Sequence, residues 1–340
     1  MTPTGSGGPA VRTVLGDVPG AALGVCDAHD HLFLRSPRLP GQELADLEAA
    51  EAELRGFAAL GGRSVVQWTP YGMGRRSGAL VELARRTGVH LVAATGLHQA
   101  AHYAPGASGE PGDVSARDLP GYGSDDPSEG LAELADLFTE ELTQGVRGGV
   151  CGERARAGLI KVAGGCHGLD PHARRTLGAA ARAHHGTGAP VAVHLEGGTA
   201  APDVLALLCG ELGVPARSVL LGHLGRFPDT GLHREVAEAG AWLVFDGPSR
   251  AHHATDRRLF DCLAALVEDG HGARLLVGAD TTTAAARGAP GMPYLLRTLR
   301  PRMEREFGPE LAEQVFVRNP ARAFAADWAG VPAAPAPPAA

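Results

Sequence analysis

Short apolar or β-branched runs alternate with longer Ala/Leu/Arg/Glu-rich stretches along nearly the whole chain, and this rhythm constrains the fold more than any other feature. The short runs occupy residues 63–68, 90–95, 159–163, 190–195, 218–222, 241–245 and 274–278, with a weaker one at 23–28. They lack strict alternation of polarity, as strands covered on both faces do. The longer stretches, at 43–60, 78–87, 128–143, 171–185, 202–213, 231–239 and 256–269, space their apolar residues as helices do, and several stop at a glycine. Alternating strands and helices make βα units, and eight such strands with no second composition block predict one α/β domain over 11–329, a closed (β/α)8 TIM barrel. The competing arrangement is an open doubly wound sheet, but its G-x-G-x-x-G turn does not follow the first strand. Two kinds of segment break the rhythm. The stretch 97–127 is rich in Gly, Pro, Ser and Asp, and a loop of that length is expected to be functional or mobile. Residues 1–10 and the Pro/Ala-rich 330–340 are expected to be disordered.

Composition narrows the classes further. Of the 340 residues, 44% are apolar, enough for a sizeable core. The net charge of −7, without a basic stripe, argues against nucleic acid as a partner. The five cysteines are widely spaced with no C-x-x-C pair, so reduced thiols are expected rather than a zinc ribbon or disulfide framework. The first ten residues lack the basic and apolar regions of a signal peptide, and no run of about 18 apolar residues occurs. A cytoplasmic protein that acts on a small molecule and has no membrane span is expected.

Ligands in a barrel enzyme come from the C-terminal ends of the strands. The segments VCDAHDH, GLIKVAGG, PVAVHLEGG, SVLLGHLGR and RLLVGADTTT place His29 and His31, Lys161, His194, His223 and Asp280 at or near such ends. Residues two apart on a strand project to one side, which suits His29 and His31 as ligands of one metal. Taken singly, each residue has a plainer reading. Among fifteen histidines an H-x-H can arise by chance, Asp280 could cap the next helix, and Lys161 could snorkel or pair with an acid. Lys161 lies in an apolar strand, where burial favours the neutral amine. A neutral amine can add carbon dioxide, and the resulting carbamate has two oxygens able to bridge metals.

These residues and their surroundings resemble the phosphotriesterase family of the amidohydrolase superfamily. The resemblance runs from about residue 11 to 328, through TVLG, the H-x-H, GGRSVVQWTPYGMGR, TGVHLVAATG, AGLIKVAGG, VHLEGGT, LLGHLGRFPD, LLVGAD and VFVRNPARAF. It implies a barrel holding two divalent transition metals, zinc first, with manganese, cobalt or iron as alternatives. His29, His31 and Asp280 would hold one metal and His194 and His223 the other, with carboxylated Lys161 and a hydroxide bridging them. The bridging hydroxide would attack a lactone or carboxylic ester, with Asp280 moving the proton and Lys161 completing the catalytic pair. The alternatives are a phosphotriester, an N-acyl amide, or a non-catalytic binding barrel. Relatives of this kind are often dimers, so a homodimer is expected.

The chain also departs from the family pattern. Asp30 replaces the glutamate of H-E-H, and Leu97 and His98 stand where a tyrosine is usual. Gly225 and Arg226 come soon after His223, the fourth ligand histidine, in place of an acid, Gly74-Arg75-Arg76 replaces G-R-D, and Arg258 is displaced by one position. No metal-ligand position is altered, so the departures bear on the substrate. Trp68, Tyr71, His98 and Arg250 are the candidate substrate contacts, with His102, Tyr103, His252 and His253 beside them.

Overall fold

The computed structural model describes residues 8–103, 114–146, 155–246 and 254–328. Eight parallel strands follow one another in sequence order around a barrel: β3 (Cys26–Asp30), β4 (Ser64–Gln67), β5 (His90–Thr95), β6 (Leu159–Ala163), β7 (Val191–His194), β8 (Val219–Gly222), β9 (Trp242–Asp246) and β10 (Leu275–Gly278). They are preceded by an antiparallel hairpin, β1 (Ala10–Thr13) and β2 (Gly16–Pro19), which the alternation of strands and helices did not reveal. Helices α1 (Leu47–Ala59), α2 (Ser77–Thr87), α3 (Leu131–Thr143), α4 (Pro171–Thr187), α5 (Ala201–Leu205), α6 (Thr230–Glu238) and α7 (Leu259–Glu268) fall in the predicted helical stretches, with later starts for α1, α3 and α7 and with α5 continued by a π-helical segment at Ala206–Glu211. The outer layer is completed by α8 (Arg300–Phe307), α9 (Pro309–Glu313) and α10 (Asn319–Ala323).

The continuous apolar runs now have a cause. Along each strand, residues alternate between the barrel interior and the layer under the helices, and both sides are dry. Leu159 belongs to the inner cluster with Val66, Trp68, Val92, Leu220 and Leu276, whereas Ile160 and Val162 pack outward. The same alternation points Lys161 inward. The bottom of the inner cluster is closed by Val11 of the hairpin and by Phe324. The hairpin is pinned by Trp328, whose Nε1–H donates to Ala10 O at 2.9 Å while the Arg12 guanidinium lies 3.9 Å from its ring centroid.

Strand β3 carries a bulge. Asp27 pairs with Val65 and Asp30 with Gln67, so three steps on β3 match two on β4. The extra residue lets both Ala28 and His29 face the interior, where His29 stacks on Trp68 at 3.8 Å. The seam between β3 and β10 is joined partly by side chains. Asp280 N–H donates to His29 O at 2.9 Å, and Asp27 accepts from the N–H groups of both His29 and Ala279. Gly278 is required there, since a Cβ would come within 2.6 Å of His29.

One buried ion pair holds the layer outside β5. Arg75 donates from Nη1 to Glu141 Oε2 at 2.7 Å and to Ala94 O at 2.9 Å, and its Nη2 also pairs with Glu141, which accepts from Thr95 Oγ1 as well. Replacing Arg75 with methionine leaves the Glu141 carboxylate buried without its cation. That substitution should cost about 3–5 kcal/mol, read as a lowered urea midpoint, while Arg75→Met with Glu141→Met together should recover most of the loss.

Candidate metal centre

His29 and His31 meet at the C-terminal mouth of the barrel, where their Nε2 atoms lie 3.6 and 3.5 Å from Asp280 Oδ1. What stands behind each ring fixes which nitrogen is available. His29 Nδ1 is 2.7 Å from Asp246 Oδ1; a carboxylate only accepts, so Nδ1 carries the hydrogen and Nε2 the lone pair. His31 Nδ1 is 2.8 Å from Thr69 Oγ1, and that hydroxyl donates to Phe33 O at 2.6 Å, so it accepts from Nδ1–H. Burial lowers the pKa of His31 to about 4, against the opposing pull of Asp280, so the ring is neutral at pH 7. Both Nε2 lone pairs therefore face Asp280.

The second pair follows the same logic with different atoms. His223 Nδ1 meets Asp246 Oδ2, so its lone pair sits on Nε2. His194 Nε2 meets Glu196 Oε2 at 3.1 Å, so its lone pair sits on Nδ1. Those two nitrogens, His194 Nδ1 and His223 Nε2, are 2.7 Å apart. Two facing lone pairs need a cation. Burial, and then the neighbouring His223, hold the pKa of His194 well below its ordinary value, which disfavours a shared proton. A transition metal suits this donor set. Tying the non-ligating nitrogen of each imidazole to an acceptor is how metal-binding histidines are oriented.

Asp280 also lies beside the second pair, its Oδ2 3.7 Å from His223 Nδ1. It and His223 both take left-handed backbone, with φ of +51° and +65°. Such a conformation costs a non-glycine residue of order 1–3 kcal/mol and persists where the surroundings enforce it. Asp30 supplies part of that enforcement: its Oδ1 accepts from Thr281 N–H at 2.6 Å and from His31 N–H at 2.8 Å. The carboxylate that replaces the usual glutamate thus ties the H-x-H segment to the loop carrying Asp280. Lys161 is fully buried and lines the same cavity; burial lowers its pKa to about 7, with Asp280 and Glu196 pulling the other way. Gly96 lets the neighbouring strand end approach it, because a Cβ there would lie 2.0 Å from Lys161 O. His29, His31 and Asp280 form one buried group able to hold a metal, and His29, His223 and Asp246 another. In the second group Asp246 meets Nδ1 of both His29 and His223, the nitrogens opposite the free lone pairs, which marks it as the support behind both rings.

All six ligand candidates line one cavity of about 780 Å³. Of the candidate substrate contacts among the described residues, only His98 reaches it, joined by His102. Trp68 does not: it is fully buried inside the barrel beneath His29, its Nε1–H donating to Ala28 O at 2.8 Å. Tyr71 stands behind the wall, beside Arg75, and Tyr103 is buried below His98. Arg250, His252 and His253 lie outside the described residues. Asp246, Thr69 and Glu196 were missed by reading strand ends for ligands. Asp246 ends a strand in LVFDG and could have been found as the one acid closing β9; Thr69 and Glu196 carry no such signal.

Burial pushes the Asp246 carboxyl up, but His223 and His29 hold it well below the usual carboxylate range. Asp246→Asn should lower metal affinity about 10–100-fold, because one acceptor orients a ring of each pair. Metal retained after graded chelation is the measurement, and unchanged retention would rule out that supporting role.

The phosphotriesterase family model matches residues 9–324. The chain belongs to the phosphotriesterase family. It is a metal-dependent hydrolase of lactonase-like type, with buried His/Asp groups consistent with a binuclear site. A phospho-furanose lactonase of Mycoplasmopsis agalactiae is 33% identical over 259 residues, covering 74% of this chain and 70% of that protein. A lactonase from Listeria monocytogenes superposes with a TM-score of 0.79 at 27% identity, covering 93% of this chain and 98% of that one. An organophosphorus hydrolase from Deinococcus radiodurans gives 0.76 at 26% identity, covering 94% and 99%. These matches agree on the eight-stranded parallel barrel. Among the described residues, no helix of this family member is long and apolar enough to cross a membrane.

Proposed function

We propose that this phosphotriesterase-family chain is a binuclear-metal hydrolase that opens a lactone or cleaves a carboxylic ester. The observation that carries the reading is the convergence of four oriented imidazole lone pairs, Asp280 and Lys161 on the floor of one cavity. His29, His31 and Asp280 would hold one divalent metal, and His194 and His223 the other, zinc being the first choice for this donor set. When bound, the pair supplies an activated water near neutral pH and polarises the carbonyl. Lys161, with a pKa near 7, is partly neutral at physiological pH and could add carbon dioxide to give an anionic carbamate in the same cavity. Asp280 faces the lone pairs of His29 and His31 and lies beside His223, and would take the proton of the attacking water and return it to the leaving alkoxide.

The cavity wall favours the carboxylic substrate. His98, Gln99, His102 and Arg38 make one side of it polar, which suits a small oxygenated lactone better than an aryl triester. The naming of two similar proteins as lactonases supports the same choice. The likeness to an organophosphorus hydrolase keeps phosphotriester cleavage as the second reading. The deciding experiment is a panel of lactones, aryl esters, N-acyl amino acids and paraoxon-like triesters, run on protein of measured metal content. Lactone or ester turnover at least tenfold above the rest is expected. Turnover of triesters alone would make the second reading correct, and no turnover by metal-loaded protein would remove the hydrolytic one.

A further inference from the structure

A second cavity, of about 650 Å³, opens at the other end of the barrel, where the parallel strands begin. Arg217 and Ser218 line it just before β8, Trp242 opens β9, and Arg274 stands just before β10. His184 of α4 and Arg322 of α10 complete its wall. It shares no lining residue with the cavity that holds the metal-ligand candidates. Three guanidinium groups thus meet in one recess of a chain whose net charge is −7.

Their charges are uncompensated. Elsewhere arginines meet acids: Arg12 pairs with Asp17, Arg226 with Asp256 and Arg234 with Asp269. Among the described residues, Arg217, Arg274 and Arg322 have no such partner, and Asp327, the one acid on the wall, pairs with none of them. Arg274 and Arg322 nonetheless flank the same ring, their guanidinium carbons 5.3 and 5.4 Å from the Trp242 centroid. That ring is buried and fixed, its Nε1–H donating to Arg217 O at 2.8 Å. Burial, and then the charge of Arg322, lower the pKa of Arg274. His184 adds a buried imidazole whose Nδ1–H donates to Ala189 O at 2.7 Å, so its Nε2 is left without a hydrogen-bond partner among the described residues. A concave site lined by one sign of charge focuses its field on a counter-ion.

We infer that this recess binds a phosphate dianion, free or carried as the monoester of a small alcohol. Three guanidinium charges less one carboxylate leave about two positive charges, and a phosphate monoester carries about −1.5 to −2 at pH 7. Planar guanidinium forks match phosphate oxygens in pairs, which makes arginine the residue suited to this anion. Ser218 can add a hydroxyl donor, and a bound dianion favours a proton on His184 Nε2. Pro215, Ala321 and Ala325 line the rest of the recess and leave room for a small organic group beside the anion. The site is independent of the hydrolytic reading, because none of these residues belongs to the metal centre.

The test is calorimetric titration of the full chain, at measured metal content, with inorganic phosphate and with glycerol phosphate, glycerol being the uncharged control. Metals also bind phosphate, so the variants assign the site. Wild type should show a saturable binding event that glycerol lacks. Arg274→Gln with Arg322→Gln should weaken that event about tenfold or more at unchanged metal content. Arg217→Gln alone removes an exposed side chain that makes no bond within the fold, so it should fold as wild type does and weaken the event about threefold. Arg302→Gln with Arg305→Gln removes the same charge from α8, outside the recess, and should leave the affinity within about twofold. The tighter of the two ligands names the source of the anion. No saturable binding of either phosphate, unchanged affinity in the recess variants, or an equal loss in the α8 variant would each overturn the inference, and none of these results touches the hydrolytic reading.

Discussion

Asp280→Asn is expected to keep the metals and lose most of the turnover. The substitution preserves the shape of the side chain and one oxygen, so the group that faces His29 and His31 at 3.6 and 3.5 Å can still ligate. What it removes is basicity. An amide cannot hold the proton released by the attacking water, and general-base assistance is worth about 10²–10⁴-fold in rate. The left-handed backbone at Asp280 should survive, since asparagine tolerates that conformation at least as well as aspartate and the bonds from Thr281 to Asp30 are untouched. The measurement is kcat at saturating substrate beside metal content per chain. A kcat within threefold of wild type would take Asp280 out of the proton transfer. Loss of metal in step with loss of rate would make it a ligand only.

The barrel was legible because each strand buries both faces, and a continuous apolar run is what that requires. Ile160 and Val162 pack outward while Leu159 packs inward, so Lys161 stood out as the one charged residue of its run. The six ligand candidates were legible for a related reason: a polar side chain at the end of a dry strand has few roles that do not use it. The supports behind them were not. Thr69 lies in a loop and Glu196 opens a short 3-10 turn, places where polar residues are ordinary, and only the fold brings Thr69 to His31 or Glu196 to His194. Trp68 is a candidate substrate contact by its place at the end of a strand run. The register of β4 turns it inward beneath His29, so it shapes the ring rather than the substrate. The bulge in β3 was equally hidden, since it arises from pairing between strands and leaves no mark in the local pattern.

Lys161 gives the sharpest test of the centre itself, because it is the only lysine in the sequence. A chain that carries its positive surface charge on arginine alone leaves a single side-chain amine to react. Protein prepared with ¹³C-bicarbonate should therefore show one side-chain carbamate signal, absent from Lys161→Ala. The burial that lowers the Lys161 pKa to about 7 makes the neutral amine available, and two cations nearby would hold the carbamate against loss of carbon dioxide. Lys161→Ala should retain less than a tenth of the wild-type metal and correspondingly little activity, while its folding is preserved by the apolar residues around it. Acetate or propionate should restore part of both, since a small carboxylate fits the space the side chain leaves and carries the same pair of oxygens. Rescue would separate a bridging role from a packing role, which no added anion could repair. Full metal content and full rate in Lys161→Ala would show that the two histidine pairs and Asp280 hold the metals without a bridge from this strand.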